Sequence, residues 1–351
     1  MSYTTINKGT DYFNTTLYSN AGDGAKAVTG TGHQPDLVWL KNRGVAYYHQ
    51  IHDSVRTASG GALYTAITAA ADAGYGISSF DSNGFTTGSQ SSNASQNSAN
   101  QLAWTWKAGT TGSGTTTGSG TGKAYSYSVN TTAGFSIVKF LGNATAGHTI
   151  PHHLGTVPQW IIVRKIEHAK DWNIYHAGIV ATKGLYLNLA NAEQTHTNWN
   201  NTTPTSTVFS LGSDDQVNGN NNSYIAYCFS NRTGFSQFGS YDGNGDVNNS
   251  PFIYTGFKPA WVMIKNVNSS SEEWNIWDNK RDIDNPLTTR LVANITAADS
   301  VTSSGFMDFC SNGIKIRSSA NGVNQSGSKM IYMCFAEAPL VGSNNTPSTA
   351  R

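Results

Sequence analysis

The sequence predicts an all-β protein built from three tandem homologous β-sandwich lobes, and three observations carry that expectation. One stretch occurs three times: Pro35-Asp36-Leu37-Val38-Trp39-Leu40-Lys41-Asn42, Pro158-Gln159-Trp160-Ile161-Ile162-Val163-Arg164-Lys165 and Pro259-Ala260-Trp261-Val262-Met263-Ile264-Lys265-Asn266. Apolar residues alternate or run in short blocks, which is the patterning of strands. Gly or Asn-Gly interrupts the chain nearly every ten residues, and helical periodicity is almost absent.

The echo extends on both sides of the repeated stretch. Each copy is expected to open on an aromatic strand, at Tyr12-Phe13, Gly134-Phe135 and Gly234-Phe235. Turns follow through Gly22-Asp23-Gly24, Gly142-Asn143 and Asp242-Gly243-Asn244-Gly245, residues that tolerate positive φ. The proline-led run is apolar at successive positions, which predicts a central strand covered on both faces. Next come His49-Gln50-Ile51-His52-Asp53, Trp172-Asn173-Ile174-Tyr175-His176 and Trp274-Asn275-Ile276-Trp277-Asp278. Further turns are expected at Ser82-Asn83-Gly84 and Ser311-Asn312-Gly313, and one short Ala-rich helix at Ala66 to Ala73. Each copy closes on an alternating strand: Leu102-Ala103-Trp104-Thr105-Trp106, Ile225-Ala226-Tyr227-Cys228-Phe229 and Ile331-Tyr332-Met333-Cys334-Phe335.

The repeated prolines are more than a hundred residues apart, against roughly 20 to 50 for solenoid and propeller units, so the copies read as lobes. They divide the chain into 1–108, 131–232 and 233–340, with a surface tail at 341–351. Residues 109–130 join the first two copies. Within them 109–122 are almost wholly Gly, Thr and Ser, with no side chain that buries area, and read as a flexible linker or exposed loop. Between copies two and three, Phe229-Ser230-Asn231-Arg232-Thr233-Gly234-Phe235 passes directly from closing to opening strand, so tight packing is expected there.

Composition narrows the function classes. The 351 residues suffice for two or three domains, each burying its own core. Charged residues are 12% of the chain, against about 25% in typical proteins, and the net charge is +1. A neutral surface rich in amides and hydroxyls gives no electrostatic attraction for nucleic acid or anionic membrane. No stretch reaches the roughly 20 apolar residues of a membrane-spanning helix, and Met1-Ser2-Tyr3-Thr4-Thr5 lacks signal-peptide character. Nine Trp, sixteen Tyr and fourteen Phe supply the area for cores and exclude a disordered chain. Cys228 and Cys334 fall at equivalent places in two copies, each facing its own core, so buried free thiols are expected.

Candidate chemistry is sparse. Asp242-x-Asn244-x-Asp246 has the alternating oxygens of a calcium loop, but Val247 stands where the turn glycine belongs and Ile253 where a bidentate Glu should be. A hairpin turn and a weak calcium site are the two readings. His148, His152 and His153 cluster on an extended segment where adjacent rings point to opposite faces, which favours hydrogen bonding over metal ligation. His49, His52 and Asp53 could be called a catalytic set, yet the third copy places Asn275, Trp277 and Asp278 nearby in the same pattern. Glu272-Glu273 read as a solvated rim, and no carboxylate pair, phosphate loop or nucleophile elbow stands out. The chain therefore reads as non-enzymatic and cofactor-free. Trp172 with Tyr175, and Trp274 with Trp277, lie three residues apart, so in a strand the two rings of each pair face opposite ways. One ring of each is expected to pack inward, leaving the other for packing between lobes or for a sugar.

Several motifs together resemble a family of virion proteins of tailed phages, especially marine ones such as cyanophages. They are Phe13-Asn14-Thr15, Gln34-Pro35-Asp36-Leu37-Val38-Trp39-Leu40-Lys41-Asn42-Arg43, His52-Asp53-Ser54-Val55-Arg56, Ser79-Phe80-Asp81-Ser82-Asn83-Gly84-Phe85 and Trp106-Lys107-Ala108-Gly109. Gly134-Phe135-Ser136-Ile137-Val138, Ile150-Pro151-His152-His153-Leu154-Gly155 and Phe335-Ala336-Glu337-Ala338-Pro339 are in the same style. The resemblance spans essentially the whole chain, with Leu37 and Tyr48 departing from the aromatics that relatives carry. It implies jelly-roll or lectin-like lobes in a virion component assembled in the host cytoplasm, a tail fibre or host-recognition protein, with a capsid decoration or head-fibre protein as the alternative and a polysaccharide depolymerase as the third. Other virion proteins are the implied partners; a homotrimer is expected from how fibres are generally built, and a host surface glycan from the aromatic pairs above. It implies no catalytic residues.

Overall fold

The computed structural model describes residues 3–19, 24–88, 100–342 and 347. The expectations placed on Met1-Ser2, on the Gly22-Asp23 part of the first turn and on most of the 341–351 tail lie outside the described residues. The fold is nearly all-β, in several open antiparallel sheets, and its one α-helix among the described residues is the single turn Asn321–Asn324.

Three of the sheets share one strand order. In the first, Phe13–Ser19 pairs with Asn100–Trp106, followed in space by Leu37–Asn42, Gln50–Asp53 and Leu63–Tyr64. The second runs Phe135–Leu141, Ser223–Phe229, Trp160–Lys165, Asn173–His176 and Lys183–Tyr186, ending on Gln194–Thr195. The third runs Ser236–Asp242, Lys329–Pro339, Phe257–Asn266, Asn275–Asp278 and Thr289–Val292, ending on Ser300–Val301. The opening and closing strands thus lie side by side, and the proline-led strand is interior in each case. The registers also match: Leu37 faces Trp106, Trp160 faces Phe229 and Trp261 faces Phe335. Each of these cross-strand pairs holds one indole, with the larger and smaller partners exchanged in the first sheet, a swap that keeps core volume.

Alternation then gives each sheet two apolar faces. One face of the first sheet packs Val38, Leu40 and Ala103 against Val28, Ile77 and Phe85 of a small sheet ordered Ala27–Thr29, Gly84–Thr87, Ile77–Asp81. The second sheet likewise sets Val138, Ile161, Val163 and Cys228 against Ile150, Phe209 and Leu211. The opposite faces carry Trp39, Trp104, Trp106, Trp160, Ile162, Tyr227, Trp261 and Met263, and these merge into one core that spans the chain. At its centre Trp106, Phe229 and Phe335, one from each closing strand, stand with ring centroids 6.4, 5.6 and 6.0 Å apart. The expectation of three separate cores is therefore corrected: the outer faces of the first two copies pack on their own, while the inner faces share a core.

Hydrogen bonds join the three sheets in a cycle. The amide of Ala71 reaches the carbonyl of Ile166 at 2.9 Å, Glu193 reaches Val267 at 2.8 Å, and Asp299 reaches Arg43 at 3.0 Å. The buried cation near the end of each interior strand repeats the pattern by capping carbonyls of another copy. Arg164 Nη2 donates to Thr68 O at 2.6 Å, Lys265 Nζ to Ala190 O at 2.8 Å and Lys41 Nζ to Thr296 O at 2.8 Å. Carbonyls in a core need donors, and a charged donor roughly doubles the strength of each bond.

Two local expectations fail. Residues 66–73 are not helical: Thr68 and Ala69 turn their carbonyls to Arg164 instead of to helical amides. Residues 109–122 are not a free linker, since Thr110–Thr115 pairs with Ala124–Asn130 along the outer edge of the second sheet and Thr117–Gly118 pairs with His148–Pro151. Gly112 and Gly114 leave space that the rings of Tyr127 and Tyr125 fill, so backbone bonding and tyrosine cover hold a strand whose own side chains bury little. Cys228 and Cys334 are buried free thiols, and Cys310 is half-buried.

Candidate functional site

The four aromatics that the sequence offers to a sugar are all inside. Trp172, Trp274 and Trp277 are 0% exposed and Tyr175 is 2% exposed. The parity argument holds for the second copy, where Trp172 joins the shared core and Tyr175 the outer core of its own sheet. What strand parity could not tell is that both faces are covered. Trp172 Nε1 donates to Tyr64 O at 2.9 Å, and Trp274 Nε1 to Tyr186 O at 3.0 Å and Leu189 O at 3.2 Å. Trp277 packs on Phe306, and Tyr175 on Trp199. Trp172 and Trp274 fasten one copy to the next, Trp277 and Tyr175 pack within their own copies, and none of the four presents a face to a sugar.

Of the other candidates, His52 is buried with neither ring nitrogen hydrogen-bonded, and those that follow are held by internal contacts. Asn244 Oδ1 accepts from the Asp246 amide at 3.0 Å, and Asp246 Oδ1 from the Asn248 amide at 2.8 Å, so the suspected calcium loop caps its own turns. Among the described residues no group of three or more His, Cys, Asp or Glu side chains converges as a metal site. His148 bridges Asn218 at 2.8 Å and Thr116 at 2.6 Å, His152 meets Thr205 O, and His153 lies on Tyr127 with centroids 3.7 Å apart. Burial lowers the pKa of His152 to about 4 and lowers that of His148 as well. His49 accepts from Trp39 Nε1, and burial drives its ring far below the ordinary imidazole range. Asp53 is fully buried, held by Arg56 at 2.6 Å and by the hydroxyl of Tyr227 from the next sheet at 2.8 Å. Asp278 repeats this with Arg281 at 2.6 Å and the indole of Trp104 at 3.3 Å.

Among the described residues, two places form hollows open to solvent. The first, about 420 Å³, lies between the first copy and the Thr110–Thr115 edge, with Gln34, Lys107, Thr111 and Ser126 around it and Asp36 at its base. Asp36 accepts from Ser54 Oγ at 2.7 Å and from the Ala108 amide at 2.8 Å, and burial raises its carboxyl above the ordinary range. Both donors belong to the first copy, and Ser128 Oγ beyond it reaches Asp36 Oδ1 at 3.5 Å. The second consists of two adjoining hollows of about 270 and 260 Å³ that share Tyr3, Arg232 and Thr233. Tyr254 forms one rim; its neighbour two residues back, Phe252, stands on the same strand, and the two are 56% and 47% exposed. Sequence reasoning passed over this place. Its signal was Phe252-Ile253-Tyr254 standing where the first copy has Ala27-Val28-Thr29: the inward residue stays aliphatic while the outward pair becomes aromatic.

No curated protein and no solved structure matches the chain. A family described as a domain of unknown function matches residues 8–339, all three copies as one unit. That span is what the shared core requires, since no single copy closes its inner face alone, and the chain belongs to this family, DUF7483.

Proposed function

We propose that the chain is a non-catalytic structural protein of a phage virion, a tail-fibre or host-recognition component made of three homologous sandwich-like lobes closed into a ring. The observation that carries the ring is the cycle of equivalent bonds, Ala71 to Ile166, Glu193 to Val267 and Asp299 to Arg43, supported by one strand order in three sheets. The non-catalytic part is supported by how the charged core groups are used: Lys41, Arg164, Lys265, Asp53 and Asp278 are all spent on structural partners. The virion part is supported by the resemblance of the sequence motifs to tailed-phage virion proteins, and a neutral surface with few charges suits a particle exposed outside cells.

Immunogold labelling of purified particles tests the assignment. Gold at the tail tip or fibres supports it. Gold over the head replaces it with the decoration-protein reading, unlabelled particles remove the virion reading, and new reducing ends released from host polysaccharide would make the chain an enzyme.

A further inference from the structure

We infer that the third copy carries a binding site for a neutral glycan, formed by Phe252 and Tyr254 on the outer face of its small sheet, ordered Phe252–Tyr254, Gly313–Ile316, Met307–Cys310, together with Tyr3 and the hollow beside Arg232. The site rests on the recognition reading above and gives it a place and a ligand class.

Two large aromatics exposed side by side on one strand need a reason, because such patches favour association when nothing covers them. Alternation puts Phe252 and Tyr254 on one face about 7 Å apart, with Ile253 buried between them. The equivalent strand of the first copy, Ala27–Thr29, has the same exposed-buried-exposed pattern with small residues outward, so the fold itself does not demand aromatic rings there. Two glycines make room for these side chains. A Cβ on Gly313 would sit 2.9 Å from the Phe252 ring, and one on Gly256 would sit 2.6 Å from the Tyr3 hydroxyl and 3.6 Å from that of Tyr254. Tyr3 is itself anchored, its hydroxyl donating to Gly256 O at 2.7 Å. The result is an aromatic platform beside a hollow edged with hydroxyls and amides, including Thr233 and Gln237. Aromatic faces offer apolar area to the C–H face of a sugar ring, and the polar rim offers partners to its hydroxyls.

Charge decides between neutral and acidic sugars. Arg232 is the cation of the hollow, and its guanidinium is turned away to Thr131 O from Nε at 3.0 Å and from Nη2 at 2.8 Å, and to Asn231 O at 2.9 Å. With Nε and Nη2 both on Thr131 O, the side-on fork by which arginine clamps a carboxylate is occupied. The geometry therefore fits a neutral polyol.

The test is native electrophoresis of the full chain in gels containing a neutral glucan, mannan or galactan, with alginate as the acidic probe. Wild-type protein should be retarded by at least one neutral polysaccharide, and the Phe252→Ala/Tyr254→Ala variant should lose at least about tenfold in affinity at an unchanged melting temperature. Phe252→Tyr, which keeps a ring, should retain retardation. Absence of retardation in all three neutral gels, retardation that persists in the double variant, or stronger retardation by alginate overturns the inference. Particle labelling reads independently of this result, so failure of the virion reading and failure of the glycan site are distinguishable.

Discussion

At the scale of single residues, the core buries many ionisable groups. Burial lowers the pKa of His52 and His176 to about 3, and of His33 and His152 to about 4. In an unfolded chain a histidine titrates near 6.5, so below that value the unfolded state binds protons the folded state refuses. Their stabilisation is complete above about pH 6.5 and is lost as pH falls toward 3. Denaturant midpoints measured between pH 7 and pH 4 should fall steadily, and replacing His176 with Gln should flatten the slope; a midpoint constant across that range would contradict the burial. Asp53 gives a second test. Removing its carboxylate leaves Arg56 buried without a counter-charge, and such losses cost about 3–5 kcal/mol. Tyr227→Phe removes the bond between sheets and nothing else, for which about 1.5–3 kcal/mol is expected for a hydrogen bond to a charged group. Equilibrium unfolding of Asp53→Ala and Tyr227→Phe should rank them in that order.

At the scale of elements, strands were legible wherever side chains alternate, and illegible where the backbone alone does the bonding. The proline-led strands announce themselves because both their faces are buried, and Asn83-Gly84 and Asn312-Gly313 mark their hairpins correctly. Thr110–Thr115 announces nothing, because a strand of Gly, Thr and Ser has no apolar period to read, and its register is set by Ala124–Asn130 opposite. The aromatic site shows the complementary limit: sequence spacing assigns a ring to a face but cannot say whether another layer covers it. Trp172 and Trp274 were covered and Phe252 and Tyr254 were not, a difference that lies in the packing of copies against one another. The hairpin glycines permit an element-level test. A Cβ at Gly84 would meet Val28 O at 1.9 Å, and one at Gly313 would meet Ile253 O at 2.2 Å, so at both places the small sheet closes directly onto glycine. Gly84→Ala must push Ala27–Thr29 away from Gly84–Thr87, and overpacking of this kind costs typically about 1–3 kcal/mol. The loss should appear as faster amide exchange confined to that small sheet, ahead of any change in the large one.

At the scale of the whole molecule, the shared core changes what the repeat means. Three lobes with private cores would be beads on a chain, each able to melt alone. Here Trp106, Phe229 and Phe335 meet at the centre, and every junction carries a backbone bond and a buried cation from a neighbouring copy. Exposing one inner face leaves the other two without cover, so unfolding one copy costs the stability of all. Calorimetry should therefore give a single transition with calorimetric and van't Hoff enthalpies in agreement, in contrast to the two or three steps that separate domains would produce. Closure also bears on assembly. A fibre built from one-copy chains needs three of them to surround an axis, whereas the ring proposed above would supply three copies within one chain, leaving no need for the homotrimer expected from how fibres are generally built. Light scattering coupled to gel filtration should return the mass of one chain, 37.5 kDa. A threefold mass, or a melt that separates into independent steps, would show that the copies cooperate through other chains instead of through the ring.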